Sequence, residues 1–176
     1  MNVPNIITIG RIFLVPVVVW AIGAHQYALA FWLFLAAGIS DGIDGFIAKR
    51  FDLASELGAY LDPLADKALL VSIYVTLALA GVLPVWLAIA VVSRDIMIVG
   101  AVILSWGLDK PVAIRPLVIS KLNTTAQIGF AALILATLGF GLDPGRALEV
   151  GMVLVGSLTA CSALAYLCEW ARHVAE

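Results

Sequence analysis

The chain of 176 residues is 63% hydrophobic and 12% charged, with mean hydropathy +1.09 and a formal net charge of -2. Soluble domains sit nearer half apolar and a quarter charged, so these values exclude an ordinary soluble fold, and the acidic balance excludes a broadly basic nucleic-acid binder. Two cysteines and two histidines are too few for a disulfide scaffold or a Cys/His zinc cage.

A spanning helix needs about 20 mostly apolar residues to cross a hydrocarbon core of roughly 30 Å, so the length holds about six spans with short connections. The first apolar run goes from Ile6 to Ala24, interrupted by Arg11. The second covers Tyr27 to Ser40, with apolar residues continuing at Ile43, Phe46, Ile47 and Ala48. The third is Leu57 to Leu79, closed by Gly81 and Pro84 as a tight turn. The fourth runs from Val85 to Trp106 and contains Arg94 and Asp95. Gly107 to Pro116 reads as a loop, the fifth span as Leu117 to Phe140, Gly141 to Gly145 as a turn, and the sixth span as Arg146 to Trp170. The runs are too long and continuous for barrel strands. The reading is an all-α integral membrane protein of six transmembrane helices, one domain over residues 1–176.

Orientation follows from the basic residues. Lys49, Arg50, Lys110, Arg115, Lys121 and Arg172 fall on one side and Arg146 alone on the other, which puts both termini in the cytoplasm. Trp20, Trp32, Trp86, Trp106 and Trp170 lie near the expected helix ends, where indoles favour the interface. Nothing resembles an Arg- and Ser-rich transit peptide, so a bacterial cytoplasmic membrane is the expected home.

The informative charges are acidic. Asp41 and Asp44 are spaced i, i+3, and Asp62 and Asp66 i, i+4, so each pair shares one face of a helix. Carboxylates at membrane depth cannot stay ionised and unpaired. Lys49, Arg50 and Lys67 could contribute neutralising charge, but hard divalent cations suit carboxylate oxygens better, and two ions would balance four carboxylates. A carboxylate-held metal pair suits phosphoryl chemistry. Gly45 and Gly58, without a Cβ, allow a bulky ligand to approach.

Asp41-x2-Asp44-Gly45-x2-Ala48-Lys49-x8-Gly58-x3-Asp62-x3-Asp66 resembles the signature of the CDP-alcohol phosphotransferases. It departs at Lys49, where the family has Arg: the charge is kept and the bidentate geometry is not. The resemblance implies a membrane enzyme, usually homodimeric, whose site opens to the cytoplasmic leaflet and binds a CDP-linked lipid and two divalent ions, Mg2+ or Mn2+. The acceptor hydroxyl attacks the β-phosphorus and CMP leaves. By position, Asp41, Asp44, Asp62 and Asp66 would hold metal, Asp66 would also be the general base, and Asp44, Gly45, Ala48, Lys49 and Gly58 would lie against the cytidine diphosphate.

Pro4-Asn5-Ile-Ile-Thr8-Ile-Gly-Arg11, Leu61 to Lys67, Ser93-Arg94-Asp95 and Ser120 to Gln127 are similar to two groups in that family. The phosphatidylglycerophosphate synthases act on glycerol 3-phosphate, and the eukaryotic-type cardiolipin synthases act on phosphatidylglycerol; both take CDP-diacylglycerol as donor. The first group carries a second Arg eight residues beyond the Arg of its fourth helix, where this chain has Val102. The segment Leu61 to Trp106 and the stretch Arg115 to Lys121 are more similar to the cardiolipin synthases. The resemblance therefore implies transfer to phosphatidylglycerol, with glycerol 3-phosphate as the alternative acceptor. Asn5, Thr8, Arg11, Lys67, Arg94, Arg115 and Lys121 are the candidate phosphate or acceptor contacts. Arg11 could equally snorkel to the interface. Arg94 and Asp95, being adjacent on a helix, are expected to have separate partners. Cys161 and Cys168 are expected to pack inside, and His25 and His173 to lie in a loop and a tail. A transporter would need two matched halves, and a membrane prenyltransferase would place its two acidic motifs far apart; here they fall within 26 residues.

Overall fold

A computed structural model describes the backbone of residues 3–51, 56–107 and 118–175 and the side chains of 10–43, 65–100 and 118–172. Six helices and no strand occur among the described residues: α1 (Val3–Gly23), α2 (Tyr27–Phe51), α3 (Glu56–Leu79), α4 (Val85–Gly107), α5 (Val118–Phe140) and α6 (Ala147–Ala175). The all-helical reading holds for the described residues, and each apolar run falls on its own helix apart from the end residues Ala24 and Arg146, which lie in turns, and Leu117, which lies outside the described residues. Helix α6 runs five residues past Trp170, so Arg172 and His173 stand on the helix rather than in a tail. By length and composition, Val118–Phe140 and Ala147–Arg172 are able to cross a membrane. Gly10–Gly23 and Tyr27–Ile43 are shorter apolar stretches.

Three helices end in the same way. In α1, α3 and α5 a backbone N–H reaches back five residues: Gln26 to Ala21 O, Val82 to Leu77 O and Leu142 to Thr137 O, at 2.8–3.0 Å. Each closure satisfies an end carbonyl that the helix leaves free, and each needs a left-handed residue just before the donor. Gly81 and Gly141 supply it at φ 73° and 62°, and His25 supplies it at φ 57°. The His25 ring is hydrogen-bonded to the Tyr27 hydroxyl at 3.0 Å, beside the start of α2.

The chain forms two compact units. The first comprises Met1–Leu83 with Ala131–Pro144, the second Pro84–Phe130 with Gly145–Glu176, so α5 gives one half to each. In the first unit α1 packs against α2 and α3. Its core is apolar: Val18 and Ile22 of α1, Ala30, Phe34 and Ala37 of α2, and Leu70, Ile73 and Leu77 of α3 are all buried. At its turn-bearing end Phe31 meets Phe140 edge-on at 5.5 Å between ring centroids, and Trp32 meets it at 6.2 Å. Gly139 lets α5 approach α2 there, since a Cβ would stand 2.6 Å from the Ala28 backbone nitrogen.

In the second unit α4 packs against α6. Its core mixes apolar residues (Leu87, Val91, Phe130, Val155) with buried polar ones (Arg94, Asn123, Gln127, Thr159, Ser162). Trp20, Trp32 and Trp86 are exposed near helix ends, as the interfacial reading of the tryptophans requires.

Candidate active site

The acidic site of the first unit is the polar continuation of its apolar seam. Arg11 lies seven residues before Val18 and eleven before Ile22, on the same stripe of α1. Asp41 extends the Ala30, Phe34, Ala37 stripe of α2 by one turn, and Asp66 precedes Leu70, Ile73 and Leu77 on α3 at the same periodicity. The periodicity that buries the core thus carries three charged side chains to one place. Arg11 Nη1 donates to Asp41 Oδ1 at 2.9 Å and to Asp66 Oδ1 at 2.5 Å.

Burial at this cluster is asymmetric. Arg11 is 2% exposed, whereas the side chains of Asp41 and Asp66 are each 45% exposed. The cation is sealed into the seam and the carboxylates open away from it. Arg11 Nε and Nη2 are buried with no hydrogen-bond partner among the described residues. An unmet buried donor on a charged group is costly, so those two nitrogens are directional donors toward any oxygen placed beside them. Lys67, next along α3, is half-buried and engaged in an interaction of its own.

The remaining signature positions are placed by backbone alone. Asp44, Gly45, Ala48 and Lys49 stand on α2, Gly58 and Asp62 on α3, and Asn5 and Thr8 on α1; their side chains lie outside the described residues. Arg115 lies outside them altogether.

A second polar cluster belongs to the other unit. Arg94 is 4% exposed. Its Nε and Nη2 donate to Ser162 Oγ at 3.2 and 2.9 Å, Nη2 also donates to Ser120 Oγ, and Nη1 donates to Asp95 Oδ1 at 2.6 Å. Its guanidinium carbon lies 5.7 Å from the centre of the Tyr166 ring, within cation–π range. Above it, Thr159 Oγ1 donates to Asn123 Oδ1 at 3.0 Å and accepts from Gln127 Nε2 at 3.2 Å. Ser120, Asn123 and Gln127 are spaced i, i+3, i+7 on α5, and Thr159, Ser162 and Tyr166 have the same spacing on α6. Two hydroxyl- and amide-bearing faces therefore meet as a buried polar seam, anchored by the α4 arginine. Lys121, the neighbour of Ser120, is exposed.

A family model described as CDP-alcohol phosphatidyltransferase matches residues 1–166. The chain belongs to the CDP-alcohol phosphatidyltransferase family. It is 34% identical over 183 residues to the "Probable cardiolipin synthase (CMP-forming)" of Drosophila melanogaster, covering 95% of this chain and 57% of that protein. The human "Cardiolipin synthase (CMP-forming)" is 33% identical over 181 residues, covering 94% and 60%. The "Probable phosphatidylglycerophosphate synthase" of Mycobacterium tuberculosis (strain ATCC 25618 / H37Rv) is 33% identical over 165 residues, covering 81% and 79%. The chain thus spans a little over half the length of the two cardiolipin synthases. Its two long apolar helices and its family both point to a membrane protein.

Several expectations change in this light. Arg11 does not snorkel: it is the described counter-ion of two of the four acids, Asp41 and Asp66, a pairing that the sequence reading does not make. Arg94 and Asp95 do not have wholly separate partners, because the long arginine side chain curls back to its neighbour's carboxylate. Asp95 has a further interaction as well. Cys161 and Cys168 are exposed on α6 rather than packed inside. The Asn123, Gln127, Thr159 and Ser162 seam was missed, although the shared i, i+3, i+7 spacing of polar residues on α5 and α6 was a readable signal.

Proposed function

We propose that this phosphatidyltransferase moves the phosphatidyl group of CDP-diacylglycerol to a hydroxyl of phosphatidylglycerol, giving cardiolipin and CMP. The observation that carries the chemistry is the convergence of Asp41 and Asp66, from different helices, on one buried cationic nitrogen. That convergence supports a carboxylate-lined site at the end of the seam. In the proposed reaction Asp66 takes the proton of the acceptor hydroxyl. The acceptor oxygen bonds to the β-phosphorus while the bond from that phosphorus to the CMP oxygen breaks, and CMP leaves with the electron pair.

The two described carboxylates, Asp41 and Asp66, support a divalent-ion site by their chemistry. Two carboxylate oxygens lie within 2.9 Å of a single nitrogen, and hard oxygen donors of this kind suit Mg2+ or Mn2+. In this reading Asp41, Asp44, Asp62 and Asp66 hold two such ions, which when bound neutralise phosphate oxygens. Asp44, Gly45, Ala48, Lys49 and Gly58 lie against the cytidine diphosphate, and Asn5, Thr8, Arg11, Lys67, Arg94, Arg115 and Lys121 are the candidate contacts to phosphate and acceptor. Arg11 has the best claim among them through two donors that find no partner among the described residues. Arg94 has the weakest, since four of its N–H directions are already spent on Ser120, Ser162 and Asp95.

The proposal includes one domain of six spans with both termini cytoplasmic, acting as a homodimer in a bacterial cytoplasmic membrane with its site on the cytoplasmic side. Likeness to CMP-forming cardiolipin synthases supports phosphatidylglycerol as acceptor, and the like match of a chloroplastic CDP-diacylglycerol--glycerol-3-phosphate 3-phosphatidyltransferase of Oryza sativa subsp. japonica supports the other acceptor. The second reading, transfer to glycerol 3-phosphate, draws on the Mycobacterium tuberculosis relative, of which 79% is covered. Mass spectrometry of the lipid made by purified protein from CDP-diacylglycerol and phosphatidylglycerol with Mg2+ or Mn2+ tests the proposal. Cardiolipin is the expected product, and unreacted phosphatidylglycerol contradicts the assignment.

A further inference from the structure

Arg11 and a divalent ion have claims on the same oxygens. Nη1 holds Oδ1 of both Asp41 and Asp66, and the guanidinium is buried where it cannot withdraw to water. A divalent cation taking those carboxylates meets a fixed positive charge within contact distance, in a seam where screening is weak. We infer that Arg11 is a built-in competitor of the metal: a tethered cation that keeps Asp41 and Asp66 paired and lowers the affinity of the site for divalent ions. The inference rests on the reading of Asp41 and Asp66 as metal ligands.

Two physical consequences follow from the competition. Coupling between two ligands of one site is reciprocal, so the ion loosens Arg11 as much as Arg11 weakens the ion. Carboxylates at the end of an apolar seam must be paired, so the tethered guanidinium supplies a partner whenever an ion departs. A residue that merely braces α1 against α2 and α3 has a different signature, since its loss degrades the site and weakens the ion.

The test is Mn2+ binding to the full-length protein in nanodiscs, followed by electron paramagnetic resonance, for wild type, R11Q and R11K. Thermal unfolding is measured in parallel with EDTA and with Mn2+. R11Q is expected to bind Mn2+ roughly tenfold more tightly, within the usual range of coupled sites. It should also unfold at lower temperature than wild type in EDTA and gain more from added Mn2+. R11K, which keeps the charge, should bind Mn2+ close to wild type, and it carries the test if R11Q does not assemble. Unchanged or weaker Mn2+ binding by R11Q overturns the inference, as does R11K binding well above wild type. Wild-type protein that binds no Mn2+ overturns the metal assignment beneath it, a failure distinct from binding that the substitution leaves unmoved.

Discussion

Arg11 Nη1 stands 2.5 Å from Asp66 Oδ1 across 55 residues of sequence, and the same nitrogen holds Asp41 at 2.9 Å. One buried cation therefore ties the first three helices together at two carboxylates of the proposed site. Because Asp41 remains on Nη1, loss of the Asp66 charge leaves Arg11 a counter-ion. Asp66→Asn should accordingly yield an assembled protein by size-exclusion chromatography while losing turnover. Removal of a positioned general base costs about 10²–10⁴-fold, and loss of a metal ligand adds to that. An Asp66→Asn protein with wild-type CMP release contradicts the role given to Asp66.

The polar seam of the second unit makes a graded prediction. Ser162→Ala removes the acceptor of two Arg94 donors and should cost about 0.6–1.7 kcal/mol, as interhelical hydrogen bonds in membranes do. Arg94→Leu removes all four hydrogen bonds that the guanidinium donates to Ser120, Ser162 and Asp95 and should cost more than Ser162→Ala. Adding Asp95→Asn to Arg94→Leu should recover part of the loss. Unfolding in detergent, monitored by circular dichroism, gives the order; equal costs for Ser162→Ala and Arg94→Leu contradict the seam as drawn.

Gly139 offers a packing test within the first unit. A Cβ there meets the Ala28 backbone nitrogen at 2.6 Å and its Cα at 2.7 Å, and backbone atoms cannot swing aside. Gly139→Ala should destabilise by about 1–3 kcal/mol, the usual cost of overpacking. Gly129→Ala, ten residues earlier on the same helix with nothing within 4 Å of the new atom, should be neutral or slightly stabilising through helix propensity. A thermal-shift comparison of the two variants decides it.

The helices were legible because each needs a long apolar run, and Gly81, Pro84 and Gly141 to Gly145 mark the breaks at residues that end helices for reasons of backbone geometry. The acids were legible for a similar reason: the periodicity of α2 and α3 puts Asp41 and Asp66 on their seam faces. Their partner was not. Periodicity says which residues share a face of one helix, and it is silent on which faces meet. The contact of Arg11 with Asp41 and Asp66 is a property of three helices packed together. Arg94 shows the complementary limit, since adjacency on a helix argues for divergent directions while a long flexible side chain can still reach its neighbour. The exposure of Cys161 and Cys168 was hidden too, because an apolar helix in lipid is apolar on its outer face as well as its inner one.

Acceptor choice can be probed at Val102, eight residues beyond Arg94 on α4. Glycerol 3-phosphate carries a dianionic head that calls for an added cation. Val102→Arg should raise CMP release with glycerol 3-phosphate relative to phosphatidylglycerol. An unchanged ratio places acceptor discrimination at other residues and weakens the use of Val102 in choosing between the two groups of relatives.

The most direct test of the account is CMP release by the purified protein, given CDP-diacylglycerol with Mg2+ or Mn2+ and either phosphatidylglycerol or glycerol 3-phosphate. Turnover with phosphatidylglycerol and little with glycerol 3-phosphate is the expected result. Turnover with glycerol 3-phosphate alone contradicts it and assigns the protein to phosphatidylglycerophosphate synthesis.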